Sequence, residues 1–231
     1  MYKSRLETYW EIEEDMTNKK YRVGLDISSV GFFTLLEGNK IISICQVPQK
    51  IENKELSKGL TNLKKDAKIK GNKTKCEKEI KLINNKILNL PRDCKRVFEW
   101  LSKYKDEIEI VNIEKPLMQT FGATSIISLT RMSEYMGIVT TMLDILDIPY
   151  NIISISEWRS HYDYKKMDKD EVQRLVLETK KSKTEITREF AKQESLRIAL
   201  EKIENIEEFY IPDGKKKVNM DIVESAILSL V

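Results

Sequence analysis

YRVGLDISSVGFFTLL, residues 21–36, is the stretch whose reading decides the fold. Val23, Leu25 and Ile27 alternate with Arg22, Gly24 and Asp26, the period-two pattern of a strand. Val30 to Leu36 reads as a second strand, with Ser28-Ser29 as the tight connection. Asp26 stands alone among apolar, β-branched and aromatic neighbours. A carboxylate in such a frame is costly to bury without a partner. Two readings follow: an edge-strand acid facing water, or a metal ligand on a sheet that needs further carboxylates beside it.

Working outward, Glu37-Gly38-Asn39-Lys40 reads as a hairpin turn, because Gly and Asn tolerate positive φ. Lys40 to Val47 is then a third strand, and three strands on short turns make an antiparallel meander. Upstream, Met1 to Lys20 is charged, with Leu6, Tyr9, Trp10 and Met16 loosely spaced. It reads as a short amphipathic helix packed on the main body or on a second subunit, or as a disordered extension. Downstream, Pro48 to Asp106 is dominated by Lys and Glu, and Gly59 and Gly71 interrupt it. Ile80, Ile83, Ile87 and Leu90 predict a helix over 77–90. Pro91 breaks it, and Val97, Phe98 and Leu101 predict another over 92–105. The lysines at 64, 65, 68, 70, 73, 75 and 78 form a solvated face or a nucleic-acid contact.

Glu109 to Glu114 reads as a fourth strand, ended by Pro116. A long helix over 122–147 runs on Ile126, Leu129, Met132, Met136, Val139, Leu143 and Leu146. A fifth strand follows over 150–155. Strand, helix and strand make a βαβ crossover, which implies parallel neighbours and a right-handed connection. Trp158 to Lys183 is polar and basic; helices are predicted over 170–179 and 185–203, a loop over 206–217, and a last short helix from Asp221.

Composition limits the chemistry. The chain has 231 residues, with 41% hydrophobic and 33% charged. Lys and Arg number 40 against 37 acids, a net charge of +3. This permits nucleic-acid binding only if acids gather in a site and lysines around it. Cys45, Cys76 and Cys94 match no zinc or redox spacing, and reduced thiols in the cytoplasm are the simplest account. His161 is the only histidine. A zinc site or a His-based triad therefore has almost nothing to be built from. No apolar run is long enough to cross a bilayer, and no signal-peptide core opens the chain. Hydrolytic chemistry here would rest on carboxylates and a hard cation.

The closing segment 221–231, DIVESAILSLV, is apolar except for Asp221, Glu224, Ser225 and Ser229. A helix apolar nearly all round is a buried helix. Asp221 and Glu224 then lie about 60° apart on one side, a turn apart. Charge complementation of a helix N-terminus would need only Asp221. If the first and fourth strands are neighbours, about 4.8 Å apart, Asp26 and Glu114 can converge on one ion. A helix packed on that sheet could bring Asp221 and Glu224 to the other side of the same cleft. Four carboxylates so close cannot all stay ionised without cations. Oxygen-only ligands select magnesium or manganese. Two such ions about 3.5–4 Å apart suit in-line attack of water on a phosphodiester.

The order of elements and five segments resemble the RuvC-type Holliday-junction resolvases, especially their bacteriophage branch. The segments are VGLDISSVGFFTLL, VNIEKPLM, EYMGIVTTMLDILDIPYNIISISEWR, KQESLRIALEKI and MDIVESAILSL, together about half of the chain. The resemblance implies an α/β ribonuclease H-like fold with a mixed five-stranded sheet. Strands 1–3 form the antiparallel meander, strands 4 and 5 run parallel, and helices flank them. It implies one nuclease domain over 21–231 after the extension at 1–20, with helical insertions near 50–105 and 163–188. It implies metal ligation by Asp26, Glu114, Asp221 and Glu224, holding two Mg2+ with Mn2+ as substitute. Lys192 would contact the scissile phosphate. Lys115, Arg159, Lys165, Lys166, Lys215, Lys216 and Lys217 would hold the DNA backbone.

The resemblance further implies a homodimer cutting a four-way junction by paired nicks, with no small-molecule cofactor and no membrane partner. The chain departs from the family in three places. Ser28 stands where Gly is frequent, and the closing motif is Asp-x-x-Glu where Asp-x-x-Asp is common. The junction-wedging aromatic falls on Leu117, with Phe121 as the nearest replacement. Two other readings stay open: another ribonuclease H-like nuclease, acting on other branched DNA or on an RNA–DNA hybrid, and a non-catalytic DNA-binding module. An actin-like ATPase is disfavoured, because Asp26-Ile27-Ser28-Ser29 offers no glycine for a phosphate loop.

Overall fold

The computed structural model describes residues 20–28, 31–69, 73–116, 126–210 and 218–231. The N-terminal extension, apart from Lys20, lies outside them. So do the expected wedge residues Leu117 and Phe121 and the expected DNA-backbone contacts Lys215, Lys216 and Lys217. Five strands and nine helices are described: β1 (Tyr21–Leu25), β2 (Phe32–Glu37), β3 (Lys40–Gln46), α1 (Lys54–Asp66), α2 (Lys73–Leu88), α3 (Cys94–Tyr104), β4 (Ile108–Glu114), α4 (Ile126–Ile145), β5 (Tyr150–Ile153), α5 (Ile155–His161), α6 (Lys169–Thr179), α7 (Lys183–Lys202), α8 (Glu207–Tyr210) and α9 (Met220–Leu228). Among the described residues, no helix is long and apolar enough to cross a membrane.

The strands form one mixed sheet in the order β3-β2-β1-β4-β5. β1, β2 and β3 pair antiparallel, as the short turns require, and Gly38 takes a left-handed φ of 58° between β2 and β3. β4 lies parallel to both β1 and β5, as expected for strands separated by long helical connections. This is the mixed five-stranded α/β sheet that the sequence predicted. β1 is central, and Val23 and Leu25 are fully buried.

Besides α8 (Glu207–Tyr210), a short helix inside the predicted 206–217 loop, two segments differ from the sequence expectation. The fifth strand stops at Ile153, because Ser154 caps a helix that the sequence reading did not contain. Its side chain accepts from the Glu157 N–H, while the Glu157 carboxylate accepts from the Ser154 N–H. This reciprocal capping box starts α5 where a strand was expected to continue. The other is α1, begun by Asn53 accepting from the Leu56 N–H. Gly59 sits inside this helix, where a Cβ would lie 3.6 Å from Ile83 Cδ1 of α2. Gly59 therefore does not interrupt the helix; it lies on the face that packs against α2.

The chain divides into two compact units, residues 48–97 and the remainder. In the smaller unit α1 and α2 pack together, and the backbones of Lys50 and Arg92 form an isolated antiparallel β-bridge. Lys64, Lys65, Lys68 and Lys78 are exposed there. In the larger unit Trp158 and Tyr162 of the α5 region pack with Ile198 and Ala199 of α7 and with Val223, Ala226, Ile227 and Leu228 of α9.

α9 is seated on the sheet by close backbone contact. A Cβ on Gly24 would come within 2.5 Å of the Ser229 N and 2.9 Å of the Ser225 carbonyl carbon, and closer still to the Ser225 oxygen. Only glycine on β1 permits this approach. Thr34 of β2 hydrogen-bonds Ser225, and the Asn112 amide of β4 donates to the Leu228 carbonyl at 3.0 Å. Buried polar groups are thus used to lock the helix in register.

Candidate metal centre

The sheet register brings the first pair of acids side by side. Leu25 pairs with Ile113 across parallel strands. Asp26 and Glu114 are the next residues on each chain, at the same end of the sheet. Asp26 stands one residue beyond β1 and is only 7% exposed. The bland reading of an edge-strand acid facing water is therefore overturned: β1 is central and Asp26 is buried.

α9 supplies the second pair. Asn219 caps it by accepting from the Asp221 N–H at 3.1 Å. Asp221 then lies in the first turn and Glu224 one turn on, on the helix that Gly24 admits to β1. Asp26 feels the charge of all three other acids. Burial pushes Asp26 well above the ordinary carboxylate range, and the charges of Glu114, Glu224 and Asp221 push it further. Burial raises Asp221 too, against a hydrogen bond from Asp26 and the attraction of Lys192.

Glu114 is pushed up from 4.5 to about 7, first by burial and then by Glu224; the Trp158 N–H and Arg159 pull it back. Glu224 is raised by burial and by Asp221, while Arg159, Lys192 and Ser195 oppose the shift. Burial, which disfavours the charged form, is the common cause, and repulsion between the acids adds to it at Asp26, Glu114 and Glu224. Among the described residues, no group of three or more His, Cys, Asp or Glu side chains stands ready to hold a metal ion. The four acids are neighbours in charge without forming a closed cage.

Lys192 of α7 is half-buried and faces Asp221 and Glu224. Arg159 of α5 faces Glu114 and Glu224. Its guanidinium lies 5.3 Å from the centre of the Trp158 ring and 4.7 Å from that of Tyr164. Its Nε is buried with no hydrogen-bond partner. The structure does not bring the other described basic candidates into this group. Lys115 is exposed beside Glu157, Lys165 is exposed beside Glu194, and Lys166 is exposed. The remaining three, Lys215, Lys216 and Lys217, fall outside the described residues.

Three residues that hold the acids went unread in the sequence. Trp158 Nε1 donates to Glu114 Oε2 at 3.1 Å. Ser195 Oγ donates to Glu224 Oε1 at 3.4 Å, and Tyr164 OH lies 3.3 Å from the same Ser195 oxygen. The available signal was Ser154-x-x-Glu157, a capping-box pattern that starts α5 and so turns Trp158 inward.

No family model and no curated protein matches this chain. Among solved structures, Thermus thermophilus RuvC in complex with a Holliday junction substrate aligns with a TM-score of 0.43 at 9% identity, over 90% of this chain and 89% of that one. A second Thermus thermophilus RuvC structure aligns with a TM-score of 0.41 at 10% identity, over 89% of this chain and 90% of that one. Likeness at this level does not by itself assign an activity.

Proposed function

We propose that this chain is a magnesium-dependent, structure-selective DNA endonuclease that resolves four-way junctions as a homodimer. One observation carries the reading. Four acids from three separate segments, the ends of β1 and β4 and the first turns of α9, gather in a buried region with raised proton affinity. Raised proton affinity marks negative charge that a cation would relieve. The donor set fits magnesium or manganese, being oxygen throughout with no histidine or thiolate.

Asp26, Glu114, Asp221 and Glu224 would hold the ions. When bound, such ions supply Lewis acidity toward a phosphodiester and make water a better nucleophile. The chain's own part is electrostatic. Lys192 and Arg159, directed at the carboxylates from α7 and α5, would neutralise charge developing on a phosphate oxygen. Arg159 is already stacked on Trp158 and Tyr164, so little side-chain freedom is lost when it engages. The exposed Lys115, Lys165 and Lys166, with Lys215, Lys216 and Lys217, would hold the DNA backbone and make binding fall steeply with salt.

The test is a labelled synthetic four-way junction incubated with magnesium or with calcium. Paired symmetric nicks in magnesium alone support the resolvase reading. An RNA–DNA hybrid cut in preference to the junction would instead select the ribonuclease H reading. Junction binding without cleavage in either ion would select the non-catalytic module.

A further inference from the structure

We infer that Trp158 is a positioning residue that fixes the Glu114 carboxylate for metal capture. The inference rests on the metal-dependent reading above. The residue is unusual in three respects. It is 1% exposed, among the most completely buried large side chains of the fold. Its single polar atom is spent on a carboxylate oxygen of the site, Glu114 Oε2 at 3.1 Å. Its ring is held from both sides of the site. Tyr164 meets it edge-on at 5.8 Å and 85°, and the Arg159 guanidinium lies over it at 5.3 Å.

A buried indole needs a partner for its N–H, but a backbone carbonyl would serve that need as well. Nearby Tyr162 does just this, donating its hydroxyl to the Ile227 carbonyl at 2.9 Å. Trp158 instead restrains one of the two carboxylates at the sheet ends. The indole occupies Oε2 and leaves Oε1 of Glu114 for another partner. An ion would therefore meet a carboxylate whose rotation is already fixed. The same region reaches the acid on α9: Tyr164 OH donates to the Ala191 carbonyl, and Ser195 Oγ lies within donating distance of that carbonyl at 3.1 Å and of Glu224 Oε1 at 3.4 Å. The Trp158–Tyr164 pair, in edge contact, thus borders both Glu114 and Glu224. Outer partners of metal-ligating groups commonly contribute 10–100-fold to metal affinity.

The experiment compares the wild type with Trp158→Phe, Tyr162→Phe and Glu114→Gln. A fifth protein carries the sulfur isostere of tryptophan (benzothienylalanine) at position 158, which keeps the ring shape and lacks only the N–H. Mn2+ affinity is measured by calorimetry without DNA. Indole N–H signals are followed by NMR during a Mg2+ titration. The chain has three tryptophans, so the Trp158 signal is assigned by its loss in Trp158→Phe. Trp100, whose indole donates to Ser43 at 2.9 Å, serves as the internal reference.

The expected result is Mn2+ affinity about tenfold weaker in both position-158 proteins and unchanged in Tyr162→Phe. The Trp158 signal shifts with Mg2+ and is displaced without metal in Glu114→Gln, while the Trp100 signal stays still. Unchanged Mn2+ affinity in the isostere protein would overturn the inference, even if its stability fell, because the bond would then be structural only. A Trp158 signal indifferent to Mg2+ in a protein that binds it would overturn it as well. A wild type that binds neither ion would refute the metal-dependent reading itself, and the inference with it; calorimetry on the wild type separates that failure from the others.

Discussion

Glu114→Gln should stabilise the protein in the absence of divalent ions, and the gain should grow with pH. In the folded protein Glu114 gains its proton at about 7, where 4.5 is ordinary. Below about pH 4 it is protonated in both folded and unfolded chains, and it contributes no penalty. As pH rises from about 4.5 to 7 the unfolded chain ionises first. The folded state then binds more protons, so stability falls as pH rises, and the loss saturates above about 7. At about 1.4 kcal/mol per tenfold change in proton affinity, the displacement corresponds to about 3 kcal/mol.

Glutamine keeps the size of the side chain and an oxygen to accept from Trp158, but it carries no charge. Urea denaturation in chelator should therefore place the variant about 3 kcal/mol above wild type near pH 8.5 and level with it near pH 4. In thermal melts the alkaline difference should appear as about 6–12 °C for a chain of this size. Millimolar magnesium should narrow the alkaline gap by binding the wild type more tightly. A variant that tracks wild type at every pH, or that is less stable near pH 8.5, would refute the assignment of buried repulsion to Glu114.

Three more outcomes follow from the same geometry. Gly24→Ala should cost about 3 kcal/mol, because the new methyl meets backbone of α9 that cannot rotate away; chemical denaturation measures this, and cleavage should fall with the loss of α9 seating. Ser154→Ala should cost about 1 kcal/mol by removing the α5 cap, read as a lowered melting temperature with the junction-cutting pattern unchanged. Asp26→Asn should abolish junction cleavage while gel-shift binding in calcium persists, because the metal set and not the DNA contact is altered.

The sheet was legible because its signals are local. Alternation in 21–27, the Gly38-Asn39 turn and the Pro116 stop each act within a few residues. The four acids were legible because a charge in an apolar frame is anomalous at sequence level, as at Asp26 and in DIVESAILSLV. Their convergence was not written locally. It depends on the parallel register of Leu25 with Ile113 and on the missing Cβ of Gly24. A glycine in a strand interior marks a close backbone approach only once the approaching element is known. α5 was hidden because the hydrophobic run of β5 leads straight into it. A two-residue capping signal, Ser154 with Glu157, outweighs strand propensity there. Trp158, read on composition, belonged to a polar segment. The capped helix turns it inward to Glu114.

The charge balance of the region argues for what it binds. Fully ionised, the four acids face Lys192 and Arg159, which leaves two negative charges in excess. Burial, with the neighbouring charge at Asp26, Glu114 and Glu224, raises the proton affinity of Asp26, Glu114, Asp221 and Glu224. Protons are a poor solution near neutral pH, because each held proton reflects a carboxylate disfavoured by burial and by its neighbours. One divalent cation would match the excess. A DNA phosphate entering the same space adds a further negative charge, and then one cation no longer suffices. A purely structural cluster would gain by replacing the acids with apolar side chains of similar volume. On the proposed function, acids standing on three segments, with Glu114 held by Trp158, would serve as ligands, and an anionic substrate would account for there being four.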